Sequence, residues 1–203
     1  MAGQYQRRSR ELVAPALGVR QFKFSDDQEQ PLILVPTLYK AEVSLTYRRL
    51  WIQNQRWSSW AGVQIQETIN YADGLAMTTW VMNTLTLHLS YQADFRLNDA
   101  NHIITDVSLP VLSAVSRLPY SNAVSKPEMS NASAFLKETS LESLNRYINP
   151  QLSVAYRFNI SKRLGLQASY KYQWLHYTEP RQIRSASHTG NLSLIYQYHF
   201  QYK

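Results

Sequence analysis

Apolar and polar residues alternate with a period of two along most of this chain. The clearest run lies near the C-terminus, where Leu192, Leu194, Tyr196, Tyr198 and Phe200 alternate with Ser193, Ile195, Gln197 and His199. Upstream, Leu164, Leu166, Ala168, Tyr170, Tyr172 and Trp174 alternate with Gly165, Gln167, Ser169, Lys171 and Gln173. The same rhythm carries Leu152–Ile160, Ala41–Tyr47, Ala61–Tyr71, Leu85–Phe95 and Val107–Val111, the last with Pro110 on its polar side. Alternation of this kind predicts strands with one apolar face and one polar face. Eight strands are expected, at about 11–24, 33–52, 59–71, 79–96, 102–115, 148–160, 164–177 and 188–200. The first is the weakest, because Pro15 and Gly18 interrupt its apolar positions.

Strand length narrows the fold class. Each span has roughly ten or more residues, whereas strands of soluble sheets average about five or six. A strand that crosses a bilayer at a tilt needs about 9–11. The connections point the same way: 53–58, 97–101 and 161–163 are short, and 25–32, 72–78, 116–147 and 178–187 are longer. Short turns alternating with longer loops are the habit of up-and-down membrane barrels. Aromatic residues gather near both strand ends. Trp51, Trp57, Trp60, Phe95, Phe158, Tyr198 and Phe200 lie by the turns, and Tyr39, Tyr71, Trp80, Tyr147, Trp174 and Tyr177 by the loops. The expected fold is therefore an all-β, antiparallel, up-and-down transmembrane β-barrel. It is one domain over 1–203 with eight strands, or ten if 116–147 holds a further hairpin.

Composition changes this picture little. The mean hydropathy of −0.38 resembles that of an ordinary soluble domain, but it averages two faces of opposite character. No apolar run approaches the ~18 residues of a membrane helix. The absence of cysteine excludes a disulfide scaffold, a thiolate metal site and a Cys nucleophile. The formal charge of +7 comes from basic residues scattered singly or in pairs, so no nucleic-acid partner is expected. Neither a metal nor another cofactor is expected, because the histidines stand without further ligands at metal spacing.

The closing segment Leu192-x-Leu194-x-Tyr196-x-Tyr198-x-Phe200 resembles the C-terminal signal of small bacterial outer-membrane β-barrels, although Gln201-Tyr202-Lys203 follow it. The resemblance covers most of the chain as architecture. It implies that Tyr196, Tyr198 and Phe200 are read by the barrel-assembly machinery. It also implies export to the outer membrane of a Gram-negative-type cell, contact with outer-membrane lipid, and a signal peptide already removed. It implies no particular activity, because this fold hosts many functions.

In such a barrel the polar face lines the interior, which eight strands just fill with side chains. The charged groups expected there are Glu42, Arg48, His88, Asp94, Arg96, Asp106, Arg157 and Lys171, paired because unpaired buried charge is costly. Glu67 and Asn83 are polar positions on the apolar face, toward the loop ends. Two readings compete with a non-catalytic barrel. His88-Leu89-Ser90 has the spacing of the His-x-Ser pair of lipid-hydrolysing outer-membrane enzymes, with His88 as base and Ser90 as nucleophile. However, Tyr91 follows where that motif has Asn. The other reading is a soluble, lipocalin-like barrel that binds an apolar ligand. The long segment 116–147 is expected to be external. Its part Ala134–Leu144 has helical character and an apolar face suited to docking a protein partner. The sequence thus points to a binding or accessory subunit of an outer-membrane assembly.

Overall fold

A computed structural model describes residues 5–8, 11–22, 38–73, 79–117, 137, 139–161, 164–178 and 183–196. Its strands are β1 (Tyr5–Arg8), β2 (Glu11–Phe22), β3 (Leu38–Gln53), β4 (Trp57–Asp73), β5 (Thr79–Arg96) and β6 (Asn101–Arg117). They continue with β7 (Ser140–Ser143), β8 (Tyr147–Ile148), β9 (Gln151–Asn159), β10 (Leu164–Tyr177) and β11 (Ile183–Tyr196). Eight long strands, β2–β6 and β9–β11, follow one another as an antiparallel up-and-down sheet curled into a half-barrel. Every pairing is between antiparallel neighbours, which is what short connections between consecutive strands produce. Among the described residues β2 and β11 are not paired with each other, so the curl has two ends.

The sheet has its polarity inside out. Outward positions of β3–β5 such as Val43, Leu45, Ile65, Leu87 and Leu89 are exposed, whereas Gln64, Gln66, Thr68, Thr84, Thr86, His88 and Ser90 are buried. The period-two pattern of the sequence therefore places the polar set in the interior. The turn end carries an outward aromatic cluster. Trp57 stacks on Phe95 at 5.7 Å, and Trp51 meets Tyr91 edge to face at 6.3 Å. Small neighbours, Ser59 and Ala93, are buried among these outward positions. At the loop end Tyr39 and Tyr71 pair outside at 6.4 Å.

Three aromatic residues depart from the expected outer girdle. Trp60 lies on the inward register, opposite Gln92. Tyr147 and Tyr177 are buried and pack with Met82 and Val115, flanked by Leu175 and Ile183, as an apolar cluster within the loop end. Their parity decides this, because Tyr177 stands an even number of residues from the inward Gln173. Nearness to a strand end says nothing about face.

Three further differences concern the loop side. Of the helix expected at Ala134–Leu144, Lys137 is helical, but Ser140–Ser143 is a strand, β7, which pairs with β6. Its physical reason is an open ladder. β9 has nine residues and covers only Asn101–Ser108 of β6, leaving Leu112–Val115 to be paired by β7. β8 fills the matching gap on β10, at His176 and Tyr177. The segment 116–147 thus contributes to two short wall patches, and among the described residues the long strands number eight. Pro110, which lacks an N–H, stands where β6 passes from β9 to β7. A bulge there leaves both Val111 and Leu112 exposed and turns Ser113 and Val115 inward. The last strand begins at Ile183 rather than 188, so His188 lies within a strand and not at its end. Tyr198 and Phe200, and residues 33–37 of the expected second strand, lie outside the described residues.

Candidate functional site

The interior of the half-barrel holds the densest set of polar chemistry. Arg48, on β3, is buried and directs three donors along the sheet. Nε donates to Ser90 Oγ at 2.8 Å, Nη1 to Gln92 Oε1 at 2.6 Å, and Nη2 to Asp106 Oδ2, its ion-pair partner. The fork geometry of guanidinium makes this multiple contact natural. From Asp106 the network continues. Ser108 Oγ lies 3.5 Å from Asp106 Oδ1 and donates to Gln64 Oε1 at 2.9 Å. Gln64 donates to Gln66 at 3.3 Å, and Gln66 to Glu42 at 3.1 Å and to Thr68 at 3.0 Å.

Glu42 is paired with Lys40 at 2.7 Å, and Lys40 Nζ donates to Gln173 Oε1 on β10 at 2.6 Å. Gln173 donates to Asn149 at 2.9 Å, and Asn149 to the Tyr147 hydroxyl at 3.0 Å. Gln151 of β9 joins at Gln66 Oε1, 2.8 Å away. An unbroken chain of polar contacts therefore runs from Arg48 to the apolar cluster at the loop end, and bridges β3 to β10 and β4 to β9. Buried polar groups need such partners, and here each partner is another interior side chain.

Of the eight charged groups read from the sequence, Glu42, Arg48 and His88 are buried in this interior, Asp94 is part-buried, and Arg96 at the turn end is exposed instead. Asp106, Arg157 and Lys171 are part-buried on the same face. Arg157 donates from Nε to Gln167 at 3.1 Å and stands within electrostatic reach of Asp94, which itself holds His102 Nδ1 at 3.0 Å. Lys171 is close enough to His88 and Asp106 for its charge to act on both. The sequence reading placed Gln173 on the polar face but missed Lys40, Asn149 and Gln151 as members. Lys40 was legible, since it stands two residues before Glu42 and so on the same face.

His88 and Ser90 share the interior face and are not hydrogen-bonded to each other. Neither ring nitrogen of His88 has a hydrogen-bond partner among the described residues, and Ser90 Oγ is taken by Arg48. On the outer face, Asn83 Nδ2 donates to Glu67 Oε1 at 3.2 Å, so the two polar positions there meet each other. Among the described residues, no group of three or more His, Asp or Glu side chains is arranged to hold a metal ion. No protein-family model, no curated protein and no solved structure matches this chain.

Proposed function

We propose that the chain is a non-catalytic outer-membrane β-barrel that serves as a binding or accessory subunit of an outer-membrane assembly. The observation that carries the membrane reading is the inverted sheet. Its outward face bears Leu, Ile, Val and aromatic side chains, while its inward face is a buried network of glutamines, threonines and ion pairs. A water-soluble barrel would place these sets the other way round. An interior filled by mutual hydrogen bonds supports a structural lumen over a wide pore or a pocket for an apolar ligand. The subunit role is supported by the loop side, where Leu141 of β7 and Leu144 just after it are exposed. Apolar side chains on a loop rim suit contact with another protein.

The test is extraction and migration. The chain is expected to need detergent to stay monodisperse, and to migrate faster on a denaturing gel when left unheated. A monodisperse species in plain buffer would sink the membrane reading. Pull-down from native membranes is expected to retain a protein partner, and its loss on L141S/L144S would assign the contact to this rim. A chain recovered alone from every membrane preparation would count against the subunit role.

A further inference from the structure

The outward surface of the last strands changes character along their length. Rows of neighbouring residues run across β9, β10 and β11. Nearest the turns Leu164 pairs with Tyr196, then come Phe158, Leu166 and Leu194, followed by Tyr156, Ala168 and Leu192. The row toward the loops is Leu152, Tyr172 and His188, and the last is Ile148 of β8 with His176 and Arg184. Arg146 extends that edge, with its carbonyl accepting from the Thr178 N–H at 3.2 Å. Four basic or imidazole side chains, Arg146, His176, Arg184 and His188, thus gather at one end of the surface. The described outward positions of β8–β11 carry no Asp or Glu. Among the described residues, the turn end of the same strands carries no basic side chain outward.

The local geometry is that of a prepared site. Tyr170 Oη lies 2.5 Å from His188 Nδ1, and the Tyr172 ring lies 5.1 Å from the imidazole, so two neighbours hold it. With the Tyr170 hydroxyl donating to Nδ1, the ring proton resides on Nε2, a donor for an outside acceptor. Trp174 meets His176 edge to face at 5.8 Å and braces the second imidazole. Arg146, Arg184 and His188 are exposed. Guanidinium and imidazole N–H groups above a belt of Tyr and Trp match a phosphate that sits above acyl chains.

We propose that the loop-side outward surface of β8, β10 and β11 binds the phosphate of an anionic lipid head group. This rests on the sheet being a membrane wall, with the loop end at one interface. The occupant follows from the upper rows, where Leu192 and Val154 give way to Tyr170, Tyr172 and Trp174 and then to basic side chains, the order of a lipid from chain to phosphate. A soluble anion would not need the Leu and Phe rows beneath.

The test uses the full chain refolded into phosphatidylcholine vesicles with and without phosphatidic acid, then extracted in mild detergent. Bound lipid is counted by native mass spectrometry, and insertion is scored separately by heat-modifiable migration. Wild type is expected to retain phosphatidic acid, and R184Q/H188Q to retain about fivefold less or lower still, the ~1 kcal/mol that one guanidinium is worth near a membrane surface together with the lost His188 N–H donor. Arg49, a basic residue exposed at the other end of β3, provides the control, and R49Q is expected to leave retention unchanged. Inserted wild type that retains no phosphatidic acid, or a double variant that retains as much as wild type, overturns the proposal and leaves the membrane reading standing. Equal losses in R49Q and R184Q/H188Q overturn it too, since the effect would then be general charge. Failure to insert into either vesicle overturns both readings.

Discussion

At the residue scale the interior is organised by Arg48. Its guanidinium satisfies Ser90, Gln92 and Asp106 at once, so removing it strands a part-buried carboxylate. R48M is expected to destabilise the fold by about 3–5 kcal/mol, the cost of breaking a buried ion pair. R48M/D106L, which leaves no charge behind, is expected to lose clearly less. Equilibrium unfolding followed by tryptophan fluorescence would check this, and equal losses would show that the pair is not coupled. Gly62 marks the opposite constraint. A Cβ there would lie 2.0 Å from the Tyr47 carbonyl oxygen and 2.7 Å from Arg48 Cα, both backbone. G62A is expected to cost about 1–3 kcal/mol or more through overpacking. At Gly18 a Cβ meets nothing within 4 Å, so G18A should be nearly neutral. A G62A protein as stable as G18A in the same unfolding series would contradict the close approach of β3 and β4. Much of this site was legible in residue parity. What parity cannot tell is which interior side chains meet across the lumen. The Lys40–Gln173 bond joins residues 133 apart, and no local pattern encodes it.

At the element scale the long strands were readable because each repeats its alternation over many residues. The misread segments are those where tertiary pairing outweighs local preference. Ser140–Ser143 has helical neighbours in sequence, yet the unpaired upper edge of β6 offers it a ladder, and the backbone groups of β6 need partners. The bulge at Val111 hides the switch that turns Ser113 and Val115 inward, because alternation read straight through puts Val115 outside. The inserted patch has a testable role. L141P removes a donor from β7 and should detach it from β6. Limited proteolysis should then cut faster within 118–147, while β3–β5 stay protected. An unchanged cleavage rate would mean that β7 does not seal this part of the wall.

At the scale of the whole molecule the sorting of side chains decides which solvent the protein meets. Leu89 is 57% exposed on the outward face of β5, near mid-strand. In a bilayer, L89R should lose roughly 2–4 kcal/mol, the range for a cation facing lipid at the midplane. In water the same change would be close to neutral. Unfolding titrations in vesicles separate the two, and a neutral L89R there would argue against a lipid-facing surface. The short β9 carries a further consequence. It divides the molecule into a block of β2–β6 and a block of β9–β11, joined by the ladder from Asn101–Ser108 to Phe158–Gln151 and by the patches β7 and β8. Across that line run the Gln151–Gln66 and Lys40–Gln173 bonds, so each block carries half of a matching polar lock. The chain is therefore naturally split. Two fragments cut between 118 and 136 and mixed during refolding should find each other and restore one shared barrel wall, with the interior glutamines serving as the recognition code.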